Sequence, residues 1–388
     1  MNILYLTTCL PSKKGTGGDI ASQHFIDALK KNGYNVSVVG YLRKGLYSDQ
    51  QPDTISVGER YIETKEAKLY PIIWFLISFF KNIPYSSAKY YSKNYINKIT
   101  TLLNQEKYDC FILEHSSQLI WLQSSIEDKD KLVVLAQNIE NEVYLERIED
   151  TANPILKWIY KREVNLAKKA EEELARIARQ IWTLTRYDAN YFLNVVGTNN
   201  QDKVKAFDLP SSLENPGYRT RDTQCDVALI GSWIWKPNLD GLRWFFQFVY
   251  PHLPTNLTIE VAGRGADWLE GLYPNVSYRG FVPDAQEFIL QSKTIAIPSI
   301  RGAGVQIKTL DSIGLGLPIV ATPFALRGIS NPPPTVKVAE EPEQFAKLLI
   351  SSISSPCLPE ISNEAIRWAS LRRTTFFEDV SSAIEAFQ

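Results

Sequence analysis

The chain is poor in the residues that most often carry metal or nucleophile chemistry. Its 388 residues include only three histidines, His24, His115 and His252, and four cysteines. The cysteines are far apart and have no metal-ligand spacing, so we expect no metal site. We also expect them to be buried free thiols in a reducing compartment, which indicates a cytoplasmic protein. These cysteines are Cys9, Cys110, Cys225 and Cys357.

A strong net charge and a long apolar run are missing as well. The formal net charge of −1 gives no support to broad nucleic-acid binding, so no nucleic-acid partner is expected. The longest apolar run, residues 71–80, is too short to span a bilayer. The N-terminal segment MNILYLTTCL has no basic residues before its apolar ones, so we predict no signal peptide.

The first half of the chain alternates strand and helix patterns. Short β-rich runs follow polar segments and predict buried strands, and two amphipathic stretches predict helices. This alternation is typical of a parallel sheet covered by helices. The strands are predicted at residues 2–7, 36–39, 108–113, 132–136 and 180–184, and the helices at 19–32 and 154–179.

The same alternation restarts after the polar residues 211–224, which are predicted to be a linker. Strands are predicted at residues 225–230, 257–262, 294–298 and 319–321, and glycine follows the first two directly, at Gly231 and Gly263. We therefore predict an α/β protein with two Rossmann-like domains that face each other across a central cleft. The N-terminal domain is predicted at residues 1–210 and the C-terminal domain at 211–365. Residues 366–388 are predicted to form a helix that packs back on the N-terminal domain.

The most informative segment is residues 302–322, GAGVQIKTLDSIGLGLPIVAT. Gly302 and Gly304 open a loop that leads into a short helix predicted at residues 305–313, and such a turn lets backbone N–H groups approach a phosphate. Lys308 and Asp311 are three residues apart and share one helix face. A cation for phosphate and a carboxylate for hydroxyl groups fit a sugar nucleotide, although an ordinary loop and helix with two solvated charges explain the segment equally well.

Several further segments carry a resemblance to a known family. These include VALIGSWIWKPNLDGLRWF, IEVAGRGADWLEGL followed by VSYRGFVPDAQEFI, and IPSIRGAGVQIKTLDSIGLGLPIVAT in the second half. In the first half they are AQNIENEVYLERIED and AEEELARIARQIWTLTRYDANYF. In this order and spacing, the chain resembles retaining glycosyltransferases of the GT-B fold, family 4 like, also called glycosyl transferases group 1.

The resemblance implies a retaining hexosyltransferase of polysaccharide biosynthesis that needs neither a metal nor another cofactor. The donor, a UDP- or GDP-linked sugar, is expected mainly on the C-terminal domain, and a glycan, lipid or small-molecule acceptor on the N-terminal one. Lys308 is the first choice for stabilising the leaving diphosphate, followed by Arg264 and the backbone at Gly304 and Val305, with Lys236 and Arg301 as weaker candidates. The predicted donor-binding residues are Gly17, Gly18, Gly231, Arg264, Phe281, Val282, Gly302, Ala303, Gly304, Val305, Lys308 and Asp311.

Two positions of the donor loop depart from the family pattern. Asp311 aligns with the second acid of the pattern, which binds the ribose hydroxyls, whereas Ala303 stands at the place of the first acid. Gln306 stands where a basic residue is common. These replacements leave the donor sugar, and activity itself, open.

On the N-terminal domain the resemblance points to Asp19, His115, Asn138 and Glu140 as acceptor-binding residues, with Asp19 and His115 as catalytic candidates beside Lys308. Each has a structural alternative. Asp19 is a favoured residue for a helix N-terminus, His115 is explained equally by a structural role, and Glu140 by capping of the following helix. Gln137 replaces the histidine of the family's H-N segment, so a histidine base is excluded there.

Trp233 and Trp235 flank the loop after the first strand of the second half. Aromatic faces stack well on sugars and bases, but a cleft wall or a place in the hydrophobic core is favoured slightly for this pair.

Residues 70–98 combine an apolar run with several lysines and tyrosines. Such a segment lies on an anionic membrane in some proteins, and the alternative is a pair of helices with a buried apolar face. A peripheral membrane contact is therefore one of two open interpretations.

Two other functions stay open beside glycosyl transfer. One is epimerisation of a sugar nucleotide, which needs more acid and base groups than this histidine-poor chain offers. The other is a non-catalytic relative that only binds sugar nucleotides, which Ala303 and Gln306 favour. An NAD-dependent dehydrogenase is disfavoured, because no Gly-x-Gly-x-x-Gly motif follows the first strand.

Overall fold

The computed structural model describes residues 1–12, 16–44, 53–61, 67–213, 223–355 and 358–387. Part of the predicted linker at 211–224, and Cys357, lie outside the described residues. The chain divides into two compact units. The first contains Met1–Phe207 and Phe376–Gln388, and the second contains Asp208–Thr375.

The first unit is built on a seven-stranded sheet in which every neighbouring pair is parallel, with the order β3-β2-β1-β4-β5-β6-β7. Its central strands are buried almost throughout, because helices cover both faces of such a sheet. The strands are β1 (Asn2–Cys9), β2 (Asn35–Arg43), β3 (Thr54–Arg60), β4 (Cys110–Glu114), β5 (Leu132–Ala136), β6 (Gln180–Thr183) and β7 (Val204–Ala206).

Seven helices belong to this unit within its described residues: α1 (Gly17–Lys31), α2 (Tyr70–Lys81), α3 (Tyr85–Tyr90), α4 (Lys93–Gln105), α5 (Glu140–Glu149), α6 (Pro154–Ile177) and α7 (Arg186–Val196). Three 3-10 segments, at Ser116–Ser125, Lys129–Lys131 and Thr198–Lys203, connect strands and helices.

The second unit repeats the design with a six-stranded parallel sheet in the order β10-β9-β8-β11-β12-β13. Its strands are β8 (Cys225–Ile230), β9 (Ile259–Ala262), β10 (Val276–Gly280), β11 (Ser292–Ile297), β12 (Ile319–Ala321) and β13 (Val336–Val338). Its helices are α8 (Lys236–Trp244), which continues into a π-helical turn at Phe245–Val249, α9 (Ala285–Leu290), α10 (Ile307–Gly314), α11 (Pro342–Ser354) and the start of α12 (Pro359–Glu385). Short 3-10 turns lie at Tyr250–His252, Asp267–Leu269 and Pro323–Leu326.

The prediction of two parallel α/β halves is confirmed, and the structure adds their strand order. In both sheets the first strand of the unit lies beside the fourth. The order in which successive strands are added to the sheet reverses at this pair, as it does in the Rossmann arrangement. The sequence analysis missed β3, β7 and β13, because edge strands are short and only partly buried and so carry a weak apolar pattern.

The helix α12 runs from the second unit into the first. Phe376 is buried there and meets the rings of Phe25 and Phe207, at 5.0 and 6.2 Å between centroids. Asn32 donates a hydrogen bond to the Phe377 carbonyl at 2.9 Å. The end of the chain therefore forms part of the core of the first unit.

Candidate functional site

Apart from Gly17 and Gly18, which belong to the first unit, the candidate donor residues follow the carboxyl ends of β8, β9, β10 and β11. In open parallel sheets, ligands bind outside these ends, at the point where the strand order reverses. In the second unit that point lies between β8 and β11. Gly231 follows β8 and the loop 298–306 follows β11, so tertiary structure brings together segments that are about seventy residues apart in sequence.

The loops after β8 and β9 pack backbone to backbone. A Cβ atom at Gly263 would lie 1.7 Å from the Gly231 carbonyl oxygen, and Gly263 has a φ of +114°. The Gly263 N–H donates to the Gly280 carbonyl at 2.6 Å. Only glycine allows this approach, because every other residue would add a Cβ atom at this contact.

Trp233 forms the floor of this region. Its side chain is buried, and its indole N–H donates to the Ala262 carbonyl at 2.9 Å. Trp235 is exposed, and its ring is close to where a Cβ atom at Gly302 would stand, at 3.3 Å. The core interpretation therefore fits Trp233, whereas Trp235 remains accessible to a ligand.

Lys308 lies above this floor, with its Nζ 5.7 Å from the centre of the Trp233 ring. Burial lowers the pKa of Lys308 to about 8, because desolvation penalises the charged form. No carboxylate of the described residues pairs with it. The lysine is also the second residue of α10, where the positive end of the helix dipole disfavours a cation. This positive charge therefore lacks compensation from the described protein groups.

The glycine-rich loop leads directly to the N-terminus of α10. Gly302 and Gly304 have φ values of +126° and +71°, and Ala303 and Val305 complete the turn between strand and helix. No side chain caps α10, and its first turn contains no acid. The helix thus begins at Ile307, two residues later than predicted, with backbone N–H groups available to an anion.

Asp311 and Lys308 lie on the same short helix, but their side chains contact different residues. Its carboxylate accepts hydrogen bonds from the Ser212 N–H at 2.6 Å and from the Ser212 hydroxyl at 2.7 Å. Burial raises the pKa of Asp311 to about 6. The sequence analysis did not anticipate Ser212, which lies far away in sequence, in the polar segment read as a linker.

Arg264 and Phe281 are neighbours on the exposed side of the site, with the guanidinium carbon 4.8 Å from the ring centre. Val282 is partly buried beside them. The stacking holds Arg264 near the end of β9 while its charged group stays in solvent.

The weaker cation candidates, Lys236 and Arg301, both pair with Asp240. The sequence analysis also missed Arg327, whose Nη1 donates to the Gly302 carbonyl at 3.4 Å. Arg327 follows β12 by a short 3-10 turn, and its only sequence signal is its position after a strand end. The donor loop is thus bordered by cations from three different segments.

In the first unit, Gly17 and Gly18 form the first turn of α1, and Asp19 holds that turn in place. The Asp19 carboxylate accepts from the Thr16 N–H at 2.7 Å, in a capping box, and pairs with Arg43 at 3.0 Å. Asp19 therefore occupies the capping role that was its structural alternative, and its carboxylate already has protein partners.

A buried glutamate, Glu114, lies at the end of β4. One carboxylate oxygen accepts from the Tyr5 hydroxyl at 2.7 Å, the Ser22 hydroxyl at 2.6 Å and the Gln137 amide at 2.8 Å. The Gln137 amide also donates to the Gly18 carbonyl at 3.1 Å. This network ties the glycine turn to β4. The sequence analysis noted Gln137 only as a replaced histidine and missed Glu114.

His115 follows Glu114 in a left-handed backbone conformation, with a φ of +57°. Its Nε2 lies 3.8 Å from the other Glu114 carboxylate oxygen. The imidazole is partly exposed, so the strained turn presents it at the carboxyl end of the central strands.

The remaining two acceptor candidates lie at the start of α5. Asn138 is partly exposed, and Glu140 accepts from the Gln118 amide at 2.9 Å. The N–H of Glu140 donates to Glu171 at 2.6 Å, and burial raises the pKa of Glu171 to about 8. Glu171 from α6, rather than Glu140, therefore caps α5.

Within the described part of the chain, no group of three or more His, Cys, Asp or Glu side chains has a geometry that could hold a metal ion.

Comparison with known proteins identifies the second unit most directly. Residues 224–355 match the family described as glycosyl transferases group 1. No sequence among the curated proteins matched the chain.

Solved structures resemble the chain over nearly its whole length. A sucrose-phosphate synthase from Thermosynechococcus elongatus has a TM-score of 0.67 at 11% identity, over 99% of this chain and 97% of its own. An S. aureus TarM mutant in complex with fondaparinux, alpha-GlcNAc-glycerol and UDP has a TM-score of 0.61 at 10% identity, over 100% and 99%. A UDP-forming alpha,alpha-trehalose-phosphate synthase from Burkholderia vietnamiensis has a TM-score of 0.60 at 11% identity, over 98% and 100%.

These structures share the arrangement of two parallel sheets described above, and the likeness concerns the fold. With the family match over residues 224–355, it confirms the GT-B fold and the likeness to glycosyl transferases group 1 that the sequence resemblance predicted. Residues 224–355 in the second unit are similar to the glycosyl transferases group 1 family, and the chain has the GT-B fold.

Proposed function

We propose that the chain transfers a sugar from a UDP- or GDP-linked donor to an acceptor, with retention and without a divalent metal. The observation that carries the proposal is Lys308, a desolvated cation with no anionic partner among the described residues, at an uncapped helix N-terminus. Both the lysine and the helix favour a bound anion, and a nucleotide diphosphate is the anion that this family uses.

The chemistry fits this arrangement. When the bond between the sugar and the diphosphate breaks, negative charge develops on the leaving phosphate, and a new bond forms to the acceptor oxygen. Groups that are already oriented toward that charge lower the barrier, and Lys308 and the first N–H groups of α10 supply them. The acceptor proton passes to the leaving diphosphate, so this step needs no histidine base at Gln137.

Asp311 is proposed to bind the donor ribose. Each carboxylate oxygen has two lone pairs, so the two hydrogen bonds from Ser212 leave acceptor capacity for hydroxyl groups. Ser212 then also orients the carboxylate. Ala303 supplies no carboxylate at the position of the family's first acid. The identity of the donor sugar is therefore determined by the panel of nucleotide sugars described below.

The first unit is proposed to hold the acceptor near His115, Asn138 and Glu140, which are all partly exposed at strand ends. Asp19 shapes the turn at Gly17 and Gly18 through its capping box, so its contribution is to position backbone rather than to contact the acceptor. The buried thiols of Cys9, Cys110 and Cys225 are those expected of a protein of the reducing cytoplasm.

The direct test is Lys308→Ala, assayed with a panel of UDP-, GDP-, ADP- and TDP-sugars. We expect turnover to fall by about a hundredfold or more, because the leaving group loses its main charge partner. Donor binding, followed as a thermal shift, should weaken as well. Lys337→Ala is the matched control, because this lysine lies on the edge strand β13 of the same unit.

Retained turnover and donor binding in a folded Lys308→Ala variant would show that the phosphate assignment is wrong. Stoichiometric donor binding without transfer or hydrolysis for any sugar would instead favour the non-catalytic relative that Ala303 and Gln306 suggest. Interconversion of the donor sugar without release of the nucleotide would identify an epimerase.

A further inference from the structure

Helix α2 turns its more apolar side to the outside of the first unit. The fraction of the side chain exposed is 79% for Phe80 and 60% for Ile72. These positions recur at helical spacing, so they form one continuous stripe. We call this stripe the α2 face, and it consists of Leu69, Ile72, Ile73, Leu76, Phe79 and Phe80.

The opposite side of α2 attaches the helix to the protein. Trp74 and Ser78 are buried, and Trp74 packs with Ala67 and Ala88. The Ser78 hydroxyl donates to the Ile83 carbonyl at 2.7 Å, and Arg162 of α6 donates to both oxygens of Ser78 at 2.9 Å. These contacts fix the rotation of the helix, so the α2 face cannot turn inward without breaking them.

The first turn of α6 extends the apolar surface. Trp158 and Ile155 are exposed, and Arg162, one turn beyond Trp158, contacts Ser78 of α2. Because residues four apart lie on one side of a helix, Trp158 projects toward the same neighbourhood as α2. Exposed apolar side chains are therefore present on both of the helices that meet at Ser78.

The charged residues of the segment that contains α2 are all basic. Residues 67–105 contain five lysines and neither aspartate nor glutamate, in a chain whose net charge is −1. Lys68 and Lys81 are exposed at the two ends of α2, and Lys157 and Lys161 are exposed on α6. An apolar stripe with lysines at its borders matches the layers of an anionic bilayer, in which acyl chains lie beneath negative headgroups.

We propose that the first unit docks on an anionic lipid bilayer through the α2 face, with α2 lying in the plane of the headgroups. No helix in the described ranges combines the length and the hydropathy needed to span a bilayer. The twelve residues of α2 measure about 18 Å, which is shorter than the hydrocarbon core. A second copy of the chain is a poorer occupant, because a symmetric contact would bring like-charged lysines together.

This inference rests on the proposed function, because a transferase docked on a bilayer would act on an acceptor that the bilayer presents. The docking itself needs no donor and no turnover. Vesicle binding and the donor assays therefore fail or succeed independently of each other.

The test is co-sedimentation of the full chain with vesicles of phosphatidylcholine alone and of phosphatidylcholine mixed with phosphatidylglycerol. We expect binding to the mixed vesicles that weakens as salt is added, because salt screens the lysines. The double variant Ile72→Ser/Phe80→Ser should bind at least about tenfold more weakly, since each large side chain contributes more than the 1.4 kcal/mol that corresponds to a factor of ten.

Leu272→Ser, an exposed apolar residue of the second unit, is the matched control and should bind as the unchanged protein does. Unaltered thermal unfolding and donor binding in the double variant show that it is folded. Equal binding of the double variant to mixed vesicles overturns the proposal, as does the absence of binding by the unchanged chain. If the unchanged chain forms a dimer that the double variant does not form, and neither binds vesicles, the α2 face is the contact between two copies. This result also overturns the proposal.

Discussion

At the scale of single residues, Lys308 explains more about the site than any other side chain. A lysine near a helix N-terminus opposes the helix dipole, and burial adds a desolvation penalty. The fold accepts this cost without a protein carboxylate beside the charge. An anionic ligand would offset both penalties at once, and this is the physical basis of the donor binding that we propose for Lys308.

This argument predicts the pH dependence of donor binding. In the free protein the pKa of Lys308 is lowered to about 8, and a bound diphosphate favours the charged form and raises that pKa. Affinity should therefore be level below pH 8 and decline above it, by at most about tenfold per pH unit. Isothermal titration of a nucleotide sugar from about pH 7 to about pH 9 measures this.

Lys308→Arg is the control for that titration, because a guanidinium keeps its charge throughout this range. The decline above pH 8 should be absent in this variant if it binds the donor. A decline of the same size in Lys308→Arg would assign the titration to another group. In the free protein, unfolding stability should rise as the pH passes from about 8 toward 10.5, because the unfolded chain binds the extra proton there.

Glu114 is the residue whose role is mainly architectural. One of its oxygens accepts from Tyr5, Ser22 and Gln137, and Gln137 in turn contacts the Gly18 carbonyl. Glu114→Gln places an amide NH2 group in a fully buried position and removes the charge that these donors share. We expect the free energy of unfolding to fall by about 1–3 kcal/mol, measured by chemical denaturation.

The control for Glu114→Gln is Glu343→Gln, at the exposed first turn of α11, which should leave the denaturation midpoint unchanged. An unchanged midpoint in Glu114→Gln itself would show that the buried network contributes nothing to stability.

At the scale of elements, the loops after β8 and β9 show how a backbone contact creates a site. The sequence analysis predicted these strands and the glycines that follow them, because apolar runs and glycines are visible locally. It did not reveal that Gly263 lies against the Gly231 carbonyl, since that contact depends on the parallel pairing of two strands. Ser212 was missed for the same reason, because its partner Asp311 is remote in sequence, whereas the edge strands were missed because they are short and only partly buried.

Gly263→Ala should therefore damage the second unit. The new Cβ would stand 1.7 Å from the Gly231 oxygen, and alanine also resists a φ of +114°. We expect a loss of more than about 3 kcal/mol in stability, together with the loss of donor binding. Thermal unfolding with and without nucleotide measures both.

Gly271→Ala separates the two causes. Gly271 has a φ of +69°, but a Cβ atom there meets nothing within 4 Å. This variant should lose only about 1 kcal/mol from backbone strain and should keep donor binding. Equal losses in the two variants would contradict the close contact between the loops.

At the scale of the whole molecule, the chain uses one sheet topology twice for different purposes. In both units the first and fourth strands are neighbours, and the candidate residues follow these strands. The second unit offers Lys308 and a glycine-rich loop, whereas the first offers His115 and a rigid network around Glu114. In the proposed function, the chemistry of the loops, rather than that of the sheets, separates the donor site from the acceptor site.

A nucleotide should accordingly protect the second unit first. With UDP or GDP at saturating concentration, we expect slower amide hydrogen exchange at residues 231–235 and 302–309, and a higher unfolding temperature by mass action. Exchange within the buried strand β4 of the first unit should stay as it is. Protection confined to the first unit would show that the donor assignment is reversed.

The sequence by itself determined the two α/β halves, the glycine-rich turns and the choice of Lys308 as a candidate for phosphate binding, because strand periodicity, glycine and charge are local properties of the chain. Only the tertiary structure decided which of these residues meet. In the folded chain Lys308 lies over Trp233 and Asp311 accepts hydrogen bonds from Ser212. Asp19 takes part in the capping box of α1, and the α2 face is exposed. Each of these outcomes depends on packing between segments that are distant in sequence, and such packing leaves no local pattern to read.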